Sequence, residues 1–226
     1  MLFHQPAHIS FGFLRGRAVA LDVAADRYYL LAEADAATLA ALSKRALDAI
    51  DVTCASRLAE RGLIGSGPGP AIAPIEMTGL DESALELPGP RERVGTLEAG
   101  RAMFGARLSL RAAGLAPTLE RWRRLERRIA RRQRSASSGS AVSDRDRAAA
   151  IARGFAEARM FVPAARRCVP DSLALATCLW RRSAPAELYF GVRLAPFAAH
   201  CWVQSGNLLL SDPFDIVREF TPVFEL

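Results

Sequence analysis

The chain opens with alternating polar and apolar positions in short runs. "HISFGF", "RAVALDV" and "RYYLLA" each read as a strand, and "AAD" marks a turn between the last two. Helical spacing then takes over. "DAATLAALSKRALDAI" predicts a helix with Asp35 as its N-cap, and "DVTCASRLAERGLI" predicts one from Asp51 to a C-cap at Gly62. Three small strands followed by helices is the pattern of a winged-helix-like module, expected over residues 1–66. Residues 67–95 are rich in Gly and Pro and are expected to be a linker.

A second helical block runs from Thr96 to about Arg132, with a break expected near Pro117. Leu115, Leu119, Trp122, Leu125 and Ile129 share one face of its latter half, while eight arginines lie between Arg121 and Arg134. "SASSGSAVS" reads as a loop, with Ser143 or Asp144 capping a helix to about Arg159. The nearly all-apolar "CVPDSLALATCLW" predicts a buried helix. "ELYFGVRL", "FAAHCWVQ" and "NLLLSD" follow as strands, and the closing "REFTPVFEL" adds another. The fold class is therefore α+β, with residues 96–226 as the larger domain.

Half of the 226 residues are hydrophobic and 24% are charged, so a packed core is expected. The net charge of +6 is unevenly spread. Residues 1–90 carry 7 basic and 11 acidic side chains and residues 91–226 carry 23 and 13, giving −4 and +10. That asymmetry supports two modules. Trp122 belongs to the apolar stripe, so the arginine run is expected first to be a solvated helix face, second a docking surface for precursor or partner, and last a nucleic-acid site. The first residues hold no apolar core of signal-sequence length and no run reaches that of a membrane span, so the protein is expected in the cytoplasm with no membrane partner. The four cysteines form no C-x-x-C pair and no zinc spacing, and no metal or cofactor motif is present. A Walker-type phosphate loop is also missing.

The candidate chemistry lies near the C-terminus. Pro170 suits the first helical turn, which puts Cys168 at a helix start, where the dipole favours a thiolate. Asp171 opposes that effect with a second negative charge. A three-residue loop centred on Gly206 would set Gln204 opposite Leu208, Trp202 opposite Leu210 and His200 opposite Asp212. A carboxylate there would fix the imidazole tautomer and stabilise its protonated form, as a thiol nucleophile requires. Cys168, His200 and Asp212 are thus the candidate catalytic residues.

The order of "CVPDSLAL", "AHCWV" and a later aspartate resembles the transglutaminase-like cysteine proteases. With "GVRLAPFAAHCWVQSGNLLLSD" and "FTPVFEL" it resembles the B proteins of lasso peptide biosynthesis, over residues 144–226. Family members usually carry Ala and Glu where this chain has Cys201 and Gln204, neither of which bears on the triad. The resemblance implies a papain-like cysteine protease that removes the leader of a ribosomal precursor before an asparagine-synthetase-like cyclase closes the macrolactam. ATP would then be the cyclase's requirement. "VALDVAADRYYLLA" resembles the precursor-recognition domain related to the peptide chaperone of pyrroloquinoline quinone biosynthesis. By that resemblance the leader adds to the strand at residues 27–32 and packs on the helix Asp51 to Arg61, with Tyr28, Tyr29, Leu30, Leu31 and Leu58 in contact. A threonine just before the final leader residue is implied in the same way. A thioester-forming acyltransferase or transglutaminase-like enzyme would use the same triad, and a third class, a catalytically silent peptide-binding scaffold, would have a degenerate site, against which the intact triad argues.

Overall fold

The computed structural model describes residues 2–77, 79–134 and 144–226. The expected "SASSGSAVS" loop and the Ser143 cap lie outside them. The chain forms two compact units, one of residues 1–77 with Thr221–Phe224 and the other of 78–220 with 225–226.

In the first unit, β1 (Phe3–His4) pairs with β5 (Gly65–Ser66). A separate antiparallel sheet has the order β2-β3-β4, from β2 (Ile9–Leu14), β3 (Arg17–Asp22) and β4 (Arg27–Leu30). Alternation in these strands sends Ile9, Phe11, Ala18 and Ala20 into a core shared with Leu31, Leu39 and Leu58. Helix α1 (Glu33–Ser43) starts two residues before the expected cap. Asp35 lies inside it, 2% exposed, with its carboxylate held by Arg57 and Arg61. A carboxylate with two guanidinium partners has no need to serve the helix end. Helix α2 (Val52–Glu60) is capped by Asp51, whose carboxylate accepts from the N–H groups of Thr53 and Cys54. Its chain leaves through Gly62 at φ +71°, a left-handed exit that glycine accommodates.

The second unit is organised around one buried helix. Its elements are β6 (Glu82–Ser83), α3 (Thr96–Ala113), α4 (Leu115–Arg134), α5 (Asp144–Met160), α6 (Cys168–Arg181), β7 (Glu187–Leu194), β8 (Phe197–Ser205), β9 (Leu208–Leu209) and α7 (Phe214–Val217). The break between α3 and α4 falls at Gly114, φ +80°; Pro117 lies in the first turn of α4, where its lack of an N–H is harmless. Its strand order is β7-β8-β9-β6, and a last strand, β10 (Thr221–Glu225), follows α7 in the chain.

Helix α6 packs against α3, α4, α5 and β8. That enclosure explains its composition: Leu173, Ala174, Leu175, Ala176 and Leu179 are all closed to solvent. Burying each leucine contributes roughly 2 kcal/mol. Trp122 of α4 donates from Nε1 to the Leu173 carbonyl and to Thr177 Oγ1, at 3.2 and 3.0 Å, and so locks α4 onto α6.

Residues 78–95, within the stretch expected as a linker, belong to this unit. Ser83 pairs with Leu209, and the Glu92 N–H donates to the Ala150 carbonyl of α5. The strap lies so close to α5 that a Cβ on Gly154 would stand 1.8 Å from the Glu92 carbonyl oxygen. Only glycine fits there.

The β8–β9 register differs from the expected one. Gln204 faces Leu209 and Ser205 faces Leu208, so the loop is two residues, Gly206 and Asn207, rather than three. Gly206 sits at φ +57°, in the left-handed region that a tight hairpin demands. A one-residue slip sends side chains to opposite faces of a sheet. Continued to its end, this register would turn Asp212 away from His200.

Candidate active site

The ladder stops in time to prevent that. The Leu210 N–H still donates to the Val203 carbonyl, but the Val203 N–H goes to the Ser211 hydroxyl, 3.0 Å away. Beyond β9 the chain bends, and Asp212 comes to His200 with Oδ1 3.3 Å from Nε2. Distance is met here without an aligned hydrogen bond. Two serines hold the aspartate: Ser83 donates to its backbone carbonyl at 2.6 Å, and Ser211 donates to its carboxylate.

Cys168 is the first residue of α6, after an extended Arg167. The chain stops being helical here because Asp171 folds back, accepting from the Arg167 N–H at 2.9 Å. Pro170 has no N–H, so the helix end presents the N–H groups of Cys168 and Val169. Ser172 fixes the helix to the neighbouring strand by donating to the Cys201 carbonyl at 3.0 Å.

The His200 imidazole bears directly on the titration of the Cys168 thiol. Burial alone would push the thiol up. The hydrogen bond and charge of His200, with the backbone N–H groups of Cys201 and Val169, outweigh it and hold the Cys168 pKa below the ordinary thiol value. Burial likewise disfavours the imidazolium, yet Asp212 and Cys168 together raise His200 to about 9. The two shifts have the directions that a thiolate–imidazolium pair requires. The other thiols of this unit go the opposite way. Burial takes Cys178 up to about 12 and drives Cys201 well above its usual value.

Asp171 does not oppose the thiolate as its charge suggests. Arg159, 5% exposed at the end of α5, meets it with Nε 2.8 Å from Oδ1. The same guanidinium donates to the carbonyls of Val162, Ala164 and Ala165. One arginine thus neutralises the acid beside the thiol and secures the segment leading into α6. Sequence reasoning missed Arg159, because in an arginine-rich chain nothing marks it from its neighbours. Ser83 and Ser211 were equally silent.

The three residues open onto a cleft of about 380 Å³. One side is apolar, from Leu85, Ala152, Phe155 and Leu175; Arg166 and Arg167 line the approach. His200 is stacked on Trp202 and tilted against Phe220, with centroids 6.5 and 5.4 Å away. These rings limit the swing of the imidazole.

A family model, that of the transglutaminase-like superfamily, matches residues 106–225, more than half of the chain. The chain belongs to the transglutaminase-like superfamily. Its members are typically cysteine-based enzymes, cysteine proteases and acyltransferases among them. No curated protein and no solved structure matches the chain. The family match covers Cys168, His200 and Asp212.

The residues expected to contact a leader lie in the first unit and divide in two. Leu31 and Leu58 are core residues, 1% and 0% exposed, and present no surface. Tyr28 and Tyr29 are half-buried and Leu30 is exposed, on β4, the edge strand of its three-stranded sheet. The Arg61 guanidinium stands 5.7 Å from the centre of the Tyr29 ring. Among the described residues, no cluster of His, Cys, Asp or Glu is placed to hold a metal, and no helix is long and apolar enough to cross a membrane.

Proposed function

We propose that this protein is a cysteine peptidase that removes the leader from a lasso peptide precursor, with Cys168 as nucleophile, His200 as general base and acid, and Asp212 as the residue that orients the imidazole. The observation that carries the reading is the cleft itself. A thiol at a helix start, an imidazole and a carboxylate converge there within a transglutaminase-like domain.

The thiolate attacks the carbonyl carbon of the scissile bond, and the first-turn N–H groups of α6 are suited to receive the developing oxyanion. The imidazolium then gives its proton to the leaving amine and leaves a thioester on Cys168. Water, deprotonated by His200, attacks the thioester and releases the acid. The resemblance of "CVPDSLAL" and "AHCWV" to the lasso B proteins supplies the substrate, and the edge of β4 offers a leader backbone a strand to pair with. Leader contacts fall to Tyr28, Tyr29 and Leu30. The product passes to an asparagine-synthetase-like cyclase. An aqueous enzyme of this kind works in the cytoplasm.

An acyltransferase would form the same thioester and resolve it with an amine. Incubating the full chain with a leader–core precursor, with and without millimolar butylamine, separates the two. Mass spectrometry should find a single cut after the leader, ending in a free carboxylate, in both reactions. A butylamide as the main product would overturn hydrolysis. An intact precursor would overturn the peptidase assignment.

A further inference from the structure

Away from the cleft, and sharing no residue with it, α3, α4 and α6 diverge around a second pocket of about 430 Å³. Its rim is made by Arg101, Arg121, Arg124, Arg128 and Arg181. Helical spacing explains the gathering. Arg121, Arg124 and Arg128 recur every three or four residues on α4, and the other two come from helices packed alongside it. Arg124 meets Glu120 at 3.6 Å on the surface. Among the described residues, Arg101, Arg121, Arg128 and Arg181 have no carboxylate partner. The nearby Glu98 is taken by Arg182, at 2.7 and 2.9 Å.

Five guanidinium groups around one concavity repel each other, and an anion relieves that repulsion. Arginine also offers paired N–H donors that match a carboxylate. The floor is different in kind. Ala102, Gly105, Trp122 and Leu125 form an apolar base. Trp122 is 6% exposed and spends its N–H inward, so it is no stacking platform for a nucleic-acid base. A bare phosphate would satisfy the rim and make no use of the floor.

We infer that this pocket docks an acidic segment of a partner protein, with carboxylates on the arginine rim and an apolar side chain against Ala102 and Leu125. The pocket reaches Arg181, thirteen residues along α6 from Cys168, which is roughly 20 Å at helical rise. An occupant there therefore docks without entering the cleft, and the inference stands apart from the peptidase assignment.

The test uses the full chain and a dye-labelled decapeptide of alternating glutamate and leucine, read by fluorescence anisotropy in low salt. Two analogues carry glutamine for glutamate, or alanine for leucine. The parent peptide should bind at least tenfold more tightly than either analogue. Arg121→Glu with Arg128→Glu should weaken it tenfold or more. Arg17→Glu with Arg111→Glu, an equal charge change at two exposed positions outside the pocket, should leave it within twofold. Arg121→Gln with Arg128→Gln repeats the comparison should the reversed pair melt early. Equal binding of the glutamine analogue, or no binding of the parent, would overturn the inference. Equal binding of the alanine analogue would leave a plain anion site and overturn it too. Tighter, variant-sensitive binding of a single-stranded oligonucleotide would replace it with a nucleic-acid site.

Discussion

Replacing Arg159 with leucine removes the charge paired with Asp171 in the entry to α6. The side chains are 6% and 20% exposed, so the pair is largely out of water. Breaking a buried pair from one side costs about 3–5 kcal/mol, because the remaining charge is stranded. Partial exposure of Asp171 and its surviving bond from the Arg167 N–H put the expected loss near the lower end, about 3 kcal/mol. Of the three carbonyls released, Ala165 keeps Arg107 and Val162 keeps the Ala164 N–H, which limits the additional cost. A domain is stable by only about 5–15 kcal/mol, so the variant should be folded but visibly weakened. Urea denaturation followed by tryptophan fluorescence measures this, since Trp122, Trp180 and Trp202 all lie in the second unit. Adding Asp171→Asn removes the stranded charge and should recover about 1–2 kcal/mol of the loss. The thiol provides an independent readout. Arg159→Leu alone should move the Cys168 alkylation profile to higher pH, and the double variant should move it back. A loss below about 1 kcal/mol, or a double variant no better than the single, would refute the argument.

The thiolate–imidazolium pair makes Cys168 the thiol that iodoacetamide modifies first at pH 6.5, ahead of Cys178 and Cys201, as peptide mapping should show. Asp212→Asn should cut kcat about 10⁴-fold, as for other triads, and lower the alkaline limb of the pH–rate profile from its place near the His200 value of about 9; an unchanged limb would contradict the pairing. His200 is raised from 6.5, so its stabilising contribution is complete below pH 6.5 and lost as pH rises through about 9, measurable as a declining urea midpoint absent in His200→Ala. Ser211→Ala strands the Val203 N–H and releases the Asp212 carboxylate, at about 1–3 kcal/mol of stability and with roughly tenfold lower kcat.

What the sequence disclosed depended on how local the signal was. The strands "ELYFGVRL" and "FAAHCWVQ", the helix begun at Cys168 and the cap at Asp51 rest on neighbouring residues, and each stands where its pattern puts it. Trp122 was legible as core because its apolar stripe is periodic. The hairpin register was not. Loops of two and three residues around Gly206 fit the letters equally well, and a serine hydroxyl, not a strand, ends the ladder beside Asp212. Asp35 looked like a cap because an acid ahead of an apolar run usually is one; its partner Arg57 lies 22 residues away, beyond local pattern. Arg159 was hidden for the same reason. It acts on Asp171 across a helix boundary, and only the folded chain brings the two together.

The central claim is that Cys168, His200 and Asp212 act as one hydrolytic unit on a leader-bearing peptide. Single-turnover cleavage of the precursor by the wild type, Cys168→Ala, His200→Ala and Asp212→Asn, each checked for an unchanged circular dichroism spectrum, tests it most directly. The account predicts one cut by the wild type, none by the first two variants, and a rate lower by about four orders of magnitude in the third. Wild-type rates in Cys168→Ala, or in Asp212→Asn, would contradict it.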